Sequence, residues 1–534
     1  MGNNKFKLTK LALALGLTAT LSGCFGDNDN NDYVKEPEKP SATTPDADTP
    51  SALKFYINAN VVDIATGDVV DAKVTFIETD IVDISGASIT ELDAQDGNFA
   101  FNVPDTRDEA TLLVSAEGYV TKAVTIDTSE KSVALQALIP LASEANAITA
   151  QKTDVAADAG KLVNDLFVET TDGSARVDVS KDVELQDAEG NVITGDNVTM
   201  KVVTAPLNAE DGKISAAQLI PEGLNTNSTT DVLSAAAVVK ISMSSGDTKI
   251  KNFSEDITVK ATLPKDFVKK DGTKVKAGDT FGVSTYDEET RIWKNESDVS
   301  ATVGAEGTVN FPATYKINHL STHLLTETKQ ACSSAVSVKF TGAAVPESGL
   351  FVGIDTQSNF FVRHITPSTQ TLIPQSIAAQ LGFAADAKGD FYVFDNNDNE
   401  WAFKENVNIC GEITATLANE AEVVNEEFRL TYSCSNATDT TTQLPLTGAL
   451  VTYSLAGKVS TSANENADGA YLMNNLVKAD TATYTVNVTP TGGNIAPQTF
   501  TITPDGTAEP QNIVRDNCTL RDVTGTGTGT TGGS

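Results

Sequence analysis

The chain is poor in the residues that build most catalytic and metal centres. Its 534 residues include 3 histidines, 5 cysteines, 2 tryptophans and 4 methionines, too few and too scattered for a haem site or a metal cluster. Basic residues are also scarce, with 38 Lys and Arg against 72 Asp and Glu and a net charge of −34. Nucleic acid is excluded as a partner on that balance, because phosphate binding needs clustered Lys and Arg to displace counterions. No Gly-x-Ser-x-Gly elbow and no Gly-x-x-x-x-Gly-Lys loop occurs, so the nucleophile and nucleotide machinery these motifs signal is missing. Aromatic residues make up 6%, too few for the deep aromatic cleft of a glycosidase. No apolar run approaches the ~20 residues that span a bilayer. What is present is a 40% hydrophobic fraction, enough for globular cores. The length predicts three to four domains at ~150 residues each.

The first 23 residues carry three lysines (Lys5, Lys7, Lys10) and then the short apolar run Leu11–Leu17. This order is that of a secretory signal peptide. Leu21-Ser22-Gly23-Cys24 follows at once and resembles the bacterial lipobox. The resemblance implies cleavage before Cys24, a diacylglyceride (palmitate-type) anchor on its thiol and acylation of the new amine. Two or three acyl chains hold a protein durably at ~0.8 kcal/mol per buried CH₂. Phe25 stands where the lipoprotein family places Asp for inner-membrane retention, so the resemblance implies the outer membrane. Periplasmic and surface faces both stay open, the surface slightly favoured. Cleavage removes three cations and no acid, which takes the net charge from −34 to −37. Residues 24–51 hold Asp27, Asp29, Asp32 and prolines 37, 40, 45 and 50, and are expected to be a hydrated, disordered tether.

From Ala52 onward the apolar runs are short and alternate with polar residues, as in 54–62, 110–115 and 483–489. Period-two runs at close spacing predict an all-β chain of tandem antiparallel sandwiches, immunoglobulin-like or transthyretin-like. Helical periodicity is sparse, with the best candidate at Val155–Phe167 and a second at Gln375–Leu381. Residues 52–141 place Gly67 in a turn, then Ala72-Lys73-Val74, the Asp96-Gly97 turn before Phe99, and Gly118-Tyr119. That order resembles the carboxypeptidase regulatory-like domain, a small non-catalytic β-sandwich, with Asp71 in place of the usual glycine. Residues 425–520 repeat the pattern with Thr447-Gly448-Ala449 and Asp468-Gly469.

Residues 142–328 differ. The Asp187–Ile193 hairpin, the Tyr286-Asp287 to Trp293 hairpin and His319-Leu320-Ser321-Thr322 resemble the extracellular β-modules related to ZU5 domains. This resemblance offers no catalytic residue and implies a structural or interaction role. Residues 331–420 form a further β unit, and residues 521–534, rich in Gly and Thr, are expected to be flexible. The modules are expected to follow one another as a string, a lipid-anchored rod.

With Cys24 lipidated, Cys332, Cys410, Cys434 and Cys518 remain, an even number in an exported chain. Of three connectivities, Cys332–Cys410 and Cys434–Cys518 each bracket one unit. Asp395, Asn397, Asp398 and Glu400 alternate short oxygen ligands and form a candidate calcium site, against the alternative of a plain Asn/Asp hairpin tip. No other cofactor is expected. Trp293 and Trp401 are candidate carbohydrate platforms, against the alternative that both fill sandwich cores. His319 and His323, read as one strand, would share a face but lie ~13 Å apart, too far to share a metal. His364 stands alone. The function expected is that of a non-enzymatic outer-membrane lipoprotein. Its modules would bind protein or polysaccharide in adhesion or envelope organisation. The alternative is a surface carbohydrate-binding or carbohydrate-processing lipoprotein.

Overall fold

The computed structural model describes residues 43–45, 55–129 and 134–522, apart from 196, 209–212, 222–229, 288–292, 308–309, 420, 440, 467–468, 479–481, 492–494 and 517. Nearly every element is a strand. The Asp96-Gly97 turn illustrates the local cause. Both residues have positive φ (50° and 69°), the backbone a tight hairpin requires, and a Cβ on Gly97 would stand 2.6 Å from the Val61 carbonyl oxygen. The turn sends Phe99 and Phe101 onto one face, where they stack with ring centroids 5.9 Å apart. Phe76 closes on Phe101 from the opposite sheet at 4.9 Å. Burying each such ring is worth roughly 2–3 kcal/mol.

The first module is a sandwich of a three-stranded and a four-stranded sheet. Tyr56–Asp63 is the centre of the first, flanked antiparallel by Asn98–Phe101 and parallel by Ala134–Leu141. The second runs Glu91–Ala94, Ala72–Phe76, Glu109–Ser115, Lys122–Asp127. The same wiring recurs in the third module. Val336–Gly342 is flanked by Thr371–Ile373 and, in parallel, by Gly411–Leu417, over a sheet ordered Phe360–Ile365, Leu350–Thr356, Lys388–Phe394, Glu400–Asn408. It recurs again in the last module. There Val423–Cys434 lies between Ala470–Val477 and the parallel Glu509–Arg515, over Thr461–Ser462, Ala449–Leu455, Tyr484–Pro490, Gln498–Ile502. Three modules therefore share one topology, including residues 331–420, which carry no motif that relates them to the other two.

In this wiring the first and last strands of a module pair in parallel, the contact of longest loop closure. The disulfides sit on that contact. Cys332–Cys410 joins the residues that precede the paired strands of the third module, across 78 residues. Cys434–Cys518 joins the opposite ends of the pair in the last module, across 84 residues. On the chain-entropy account, loops of this size make each bridge worth ~4 kcal/mol.

Between the first and third modules lies a larger antiparallel unit whose main strands span Ile148–Asp158 to Thr322–Gln330, one continuous sheet folded on itself around a single large core. The helix expected at Val155–Phe167 is absent. Ile148–Asp158 is a strand paired with Asn197–Thr204, and Ala159 and Gly160 (φ 48° and 85°) reverse the chain into Lys161–Leu162. Long-range pairing outweighs the alanine-rich local preference, which is weak without a tertiary face to bury. At the second candidate, Gln375–Ala378 is a one-turn helix.

The modules do not follow one another as a rod. The first, third and last meet at a common junction, with Val62, Phe351 and Val459 buried against one another. The alternation of Tyr56–Asp63 predicts a wet polar face, yet all eight residues are buried. The polar face is covered by the last module. Asn60 Nδ2 donates to the Ser460 carbonyl at 2.9 Å, and Ser460 N–H donates back to Asn60 Oδ1 at 2.9 Å. Asn58 Nδ2 donates to the same carbonyl and to Gln136 Oε1, each at 3.0 Å. An asparagine side chain here imitates a strand edge across a module boundary. The Arg363 guanidinium reaches Asp127 at 3.5 Å, which links the third module to the first. The larger unit joins the third module through Ala235 N–H to Ser358 Oγ (3.0 Å) and through a small core of Val232, Ala331, Ala379 and Ala384.

Candidate functional site

Cys24 lies outside the described residues. The loop from Asp395 to Glu400 lies at the junction. Asp395 Oδ1 accepts from the Asn397 and Asn399 amides at 2.8 and 3.0 Å, and its Oδ2 accepts from Trp401 Nε1 at 3.2 Å. Asn397 donates to the Asn475 carbonyl and accepts from the Tyr484 hydroxyl, both in the last module. Asp398 pairs with Lys458 at 2.5 Å, with the two side chains only 12% and 8% exposed. Burial raises the Asp398 carboxyl above its usual range, and the Lys458 ammonium draws it back. Glu400 is exposed on its strand. The loop thus closes a hairpin and latches two modules, and oxygens of Asp395, Asn397 and Asp398 are engaged by protein donors, while Glu400 stands apart on its strand.

Neither tryptophan is placed as a carbohydrate platform. Trp293 is buried against Tyr286, ring centroids 5.3 Å apart, and its Nε1 donates to the Pro221 carbonyl. Trp401 is buried in the third module's core and is held by Asp395. A stacking platform needs an open indole face, and both faces are used in packing. His364 Nε2 lies 2.9 Å from the Ser348 carbonyl, and burial lowers its pKa to about 4.

The two histidines expected ~13 Å apart are neighbours. His319 ends the strand Asn310–His319, the chain turns at Leu320-Ser321, and His323 sits in Thr322–Gln330. Their ring centroids are 5.6 Å apart. The spacing estimate fails because a single strand does not contain them both. Leu320 N–H donates to the Lys251 carbonyl, and Ser321 Oγ donates to the Tyr286 carbonyl, which fixes the turn.

Beside His319 lies an open cavity of about 620 Å³, lined by Asp256, Glu296, Asp298, Tyr315, Lys316 and His319 among others. It forms where two neighbouring strands splay. Trp293–Val303 and Asn310–His319 pair only at Thr302↔Thr314 and Val303↔Ala313. Glu296 Oε1 accepts from Thr285 Oγ1 at 2.6 Å and lies 3.5 Å from His319 Nε2. Behind them the His323 imidazole is fully buried, and neither ring nitrogen has a partner. Burial first, and the neighbouring His319 second, lower its pKa to about 3, so it stays neutral at any ordinary pH. The buried Tyr315 hydroxyl is likewise unpartnered, and burial raises its pKa. The cavity wall is acidic, suited to attracting a positively charged group. Among the described residues no three His, Cys, Asp or Glu side chains gather as a metal site. The His-x₃-His spacing was the visible signal here, whereas Glu296 and Tyr315 carry none in the sequence.

The fold defines an all-β protein of four sandwich-type units, three of them wired alike. No family model matches the chain, and no curated protein matches it. Solved structures give loose likenesses. The Bacillus anthracis TIE protein is 9% identical over 77% of this chain and 55% of that chain, with a TM-score of 0.13. The chain thus spans about half the length of that structure. The fimbrial protein FimP from Actonomyces oris is 9% identical, covering 89% of this chain and 100% of that one, with a TM-score of 0.15. Two B repeat units of the collagen binding protein of Staphylococcus aureus are 11% identical, covering 82% and 93%, with a TM-score of 0.11. At scores of this size the likeness extends to no particular residue.

Proposed function

We propose that the chain is a lipid-anchored, non-enzymatic envelope protein, tethered to the outer membrane through Cys24, whose modules form one clamped binding body. The observation that carries the reading is the junction. Three like-wired sandwiches contribute Asn58, Asn60, Phe351, Asp398, Lys458 and Ser460 to a single buried seam between modules. Such a seam holds binding surfaces from different modules at fixed spacing, which a partner that touches several of them rewards. An enzyme would need a nucleophile or a paired acid and base aimed into a cleft. The one acid–base pair described above, Glu296 and His319, stands in an open cavity and is engaged with Thr285. That cavity is the recessed place for a cationic group of a protein or polysaccharide partner.

The test has two arms. Fractionation of cells that express Cys24→Ser should move the protein from the membrane to the soluble fraction, and continued membrane association overturns the anchor. Pull-down from envelope extracts should recover one set of partners with the whole body. Loss of that set on Asn60→Ala, with every module still folded, supports the clamped body. Retention of the whole set overturns it.

A further inference from the structure

We infer that the tether doubles back onto the last module, so that the C-terminal module, and not the first, lies next to the lipid surface. This rests on the anchoring proposed above. The residues that would leave the membrane first do not run freely to Phe55. Thr43–Pro45 forms a strand paired antiparallel with Leu520–Asp522: Thr43 with Asp522, Thr44 with Arg521, Pro45 with Leu520. Beyond the ladder, Thr43 N–H donates to Thr438 Oγ1 at 2.5 Å, Thr438 N–H donates to Thr43 Oγ1 at 3.1 Å, and Asp439 N–H donates to the Thr43 carbonyl at 3.1 Å. One threonine is thus held by its amide, its carbonyl and its hydroxyl.

The receiving strand is itself fixed. Cys518, two residues before it, is bonded to Cys434 in the first strand of the module. Cys518 N–H and its carbonyl both bond to the Asn436 side chain, and Leu520 packs against the module core. The disulfide therefore secures the tether's dock as well as the sandwich. Reducing it frees the segment to which Thr43–Pro45 is paired.

Docking leaves residues 25–42 between Cys24 and the paired strand. Eighteen residues reach at most ~60–65 Å when fully extended, and ~25 Å as a flexible coil. The last module is held within that distance. The other modules take their place from it through the junction.

Hydrogen exchange and energy transfer test this on the full-length lipidated protein in vesicles of outer-membrane lipid. Exchange at Thr43 and Thr44 is expected to be slowed at least about tenfold relative to an unstructured peptide. Thr438→Val, at an exposed position, should remove the protection at Thr43, whose amide loses its acceptor, and Cys434→Ser with Cys518→Ser should remove it at both residues. A fluorophore at Thr441 should lie within ~65 Å of a lipid-borne acceptor. Free-chain exchange at Thr43 in the wild type overturns the inference, as does a greater distance in membrane-bound protein. If the chain is not in the membrane at all, the anchoring reading fails, and exchange at Thr43 in the soluble protein still decides whether the tether docks.

Discussion

Replacing Asn60 by alanine should uncouple the first module from the last without unfolding either. The asparagine exchanges two 2.9 Å hydrogen bonds with the backbone of Ser460, and both residues are buried. The Ser460 carbonyl keeps a second donor, Asn58 Nδ2. The Ser460 N–H keeps nothing, and an orphaned buried donor costs about 1–3 kcal/mol. With the lost amide packing, the seam should weaken by ~2–3 kcal/mol. Inside its own sheet Asn60 is held by backbone pairing to Asn98 and Leu138, which the substitution leaves intact. Calorimetry of the soluble body should show the transition of the clamped modules fall by roughly 5–10 °C, at ~2–4 °C per kcal/mol for a cooperative unit of that size. It should also broaden or split as the first module melts separately. A trace that superimposes on the wild type would refute the reasoning, because it would mean the seam carries no free energy.

Four further outcomes are expected. Lys458→Met leaves the Asp398 carboxylate buried and unpaired, which should destabilise the body by ~3–5 kcal/mol in urea unfolding. Adding Asp398→Asn should recover most of that loss. Titration with Ca²⁺ should leave the melting temperature of the wild type unchanged, since the Asp395 and Asp398 oxygens already serve Asn397, Asn399, Trp401 and Lys458. Acid should weaken the larger unit through His323. Its folded pKa of about 3 lies below the unfolded value, so the unfolded chain takes up a proton first and stability falls as pH drops from ~6.5 toward 3. At pH 5 this amounts to ~2 kcal/mol, which His323→Phe should abolish in paired urea titrations at pH 7.5 and 5. Asp355 works in the opposite sense. On Leu350–Thr356 of the third module, burial first, and the neighbouring Asp390 second, raise its pKa to about 7, so its contribution grows as pH falls through that value, and Asp355→Asn should remove that gain from the third module.

Local grammar was readable from the sequence, and relations between distant segments were not. The Asp96-Gly97 turn, the facing of Phe99 and Phe101, the one-turn helix at Gln375 and the bracketing of modules by cysteines depend on near neighbours or on chain order. The burial of Asn58 and Asn60 depends on Ser460, 400 residues away from Asn60, so a polar face that reads as solvated became a seam. The His319–His323 pair was misplaced because a turn of two ordinary residues, Leu320 and Ser321, carries no Gly or Pro signal. The third module's kinship with the first and last lies in strand order alone, which its residues do not spell. At Val155–Phe167 the apolar spacing suits a helix. Leu162 and Leu166 are buried as it suggests, but Val163, in the bend after Lys161–Leu162, and Phe167, on the strand Leu166–Glu169, are half exposed.

Small-angle scattering from the soluble Cys24→Ser chain tests the clamped body most directly. A body of roughly 480 residues in one compact unit has a radius of gyration near ~23 Å. The account predicts a value below about 30 Å for the folded part, with a single-peaked distance distribution. A radius on the order of 40 Å or more, with a long tail of repeated module spacings, would mean that the modules hang as a string and that the junction does not hold.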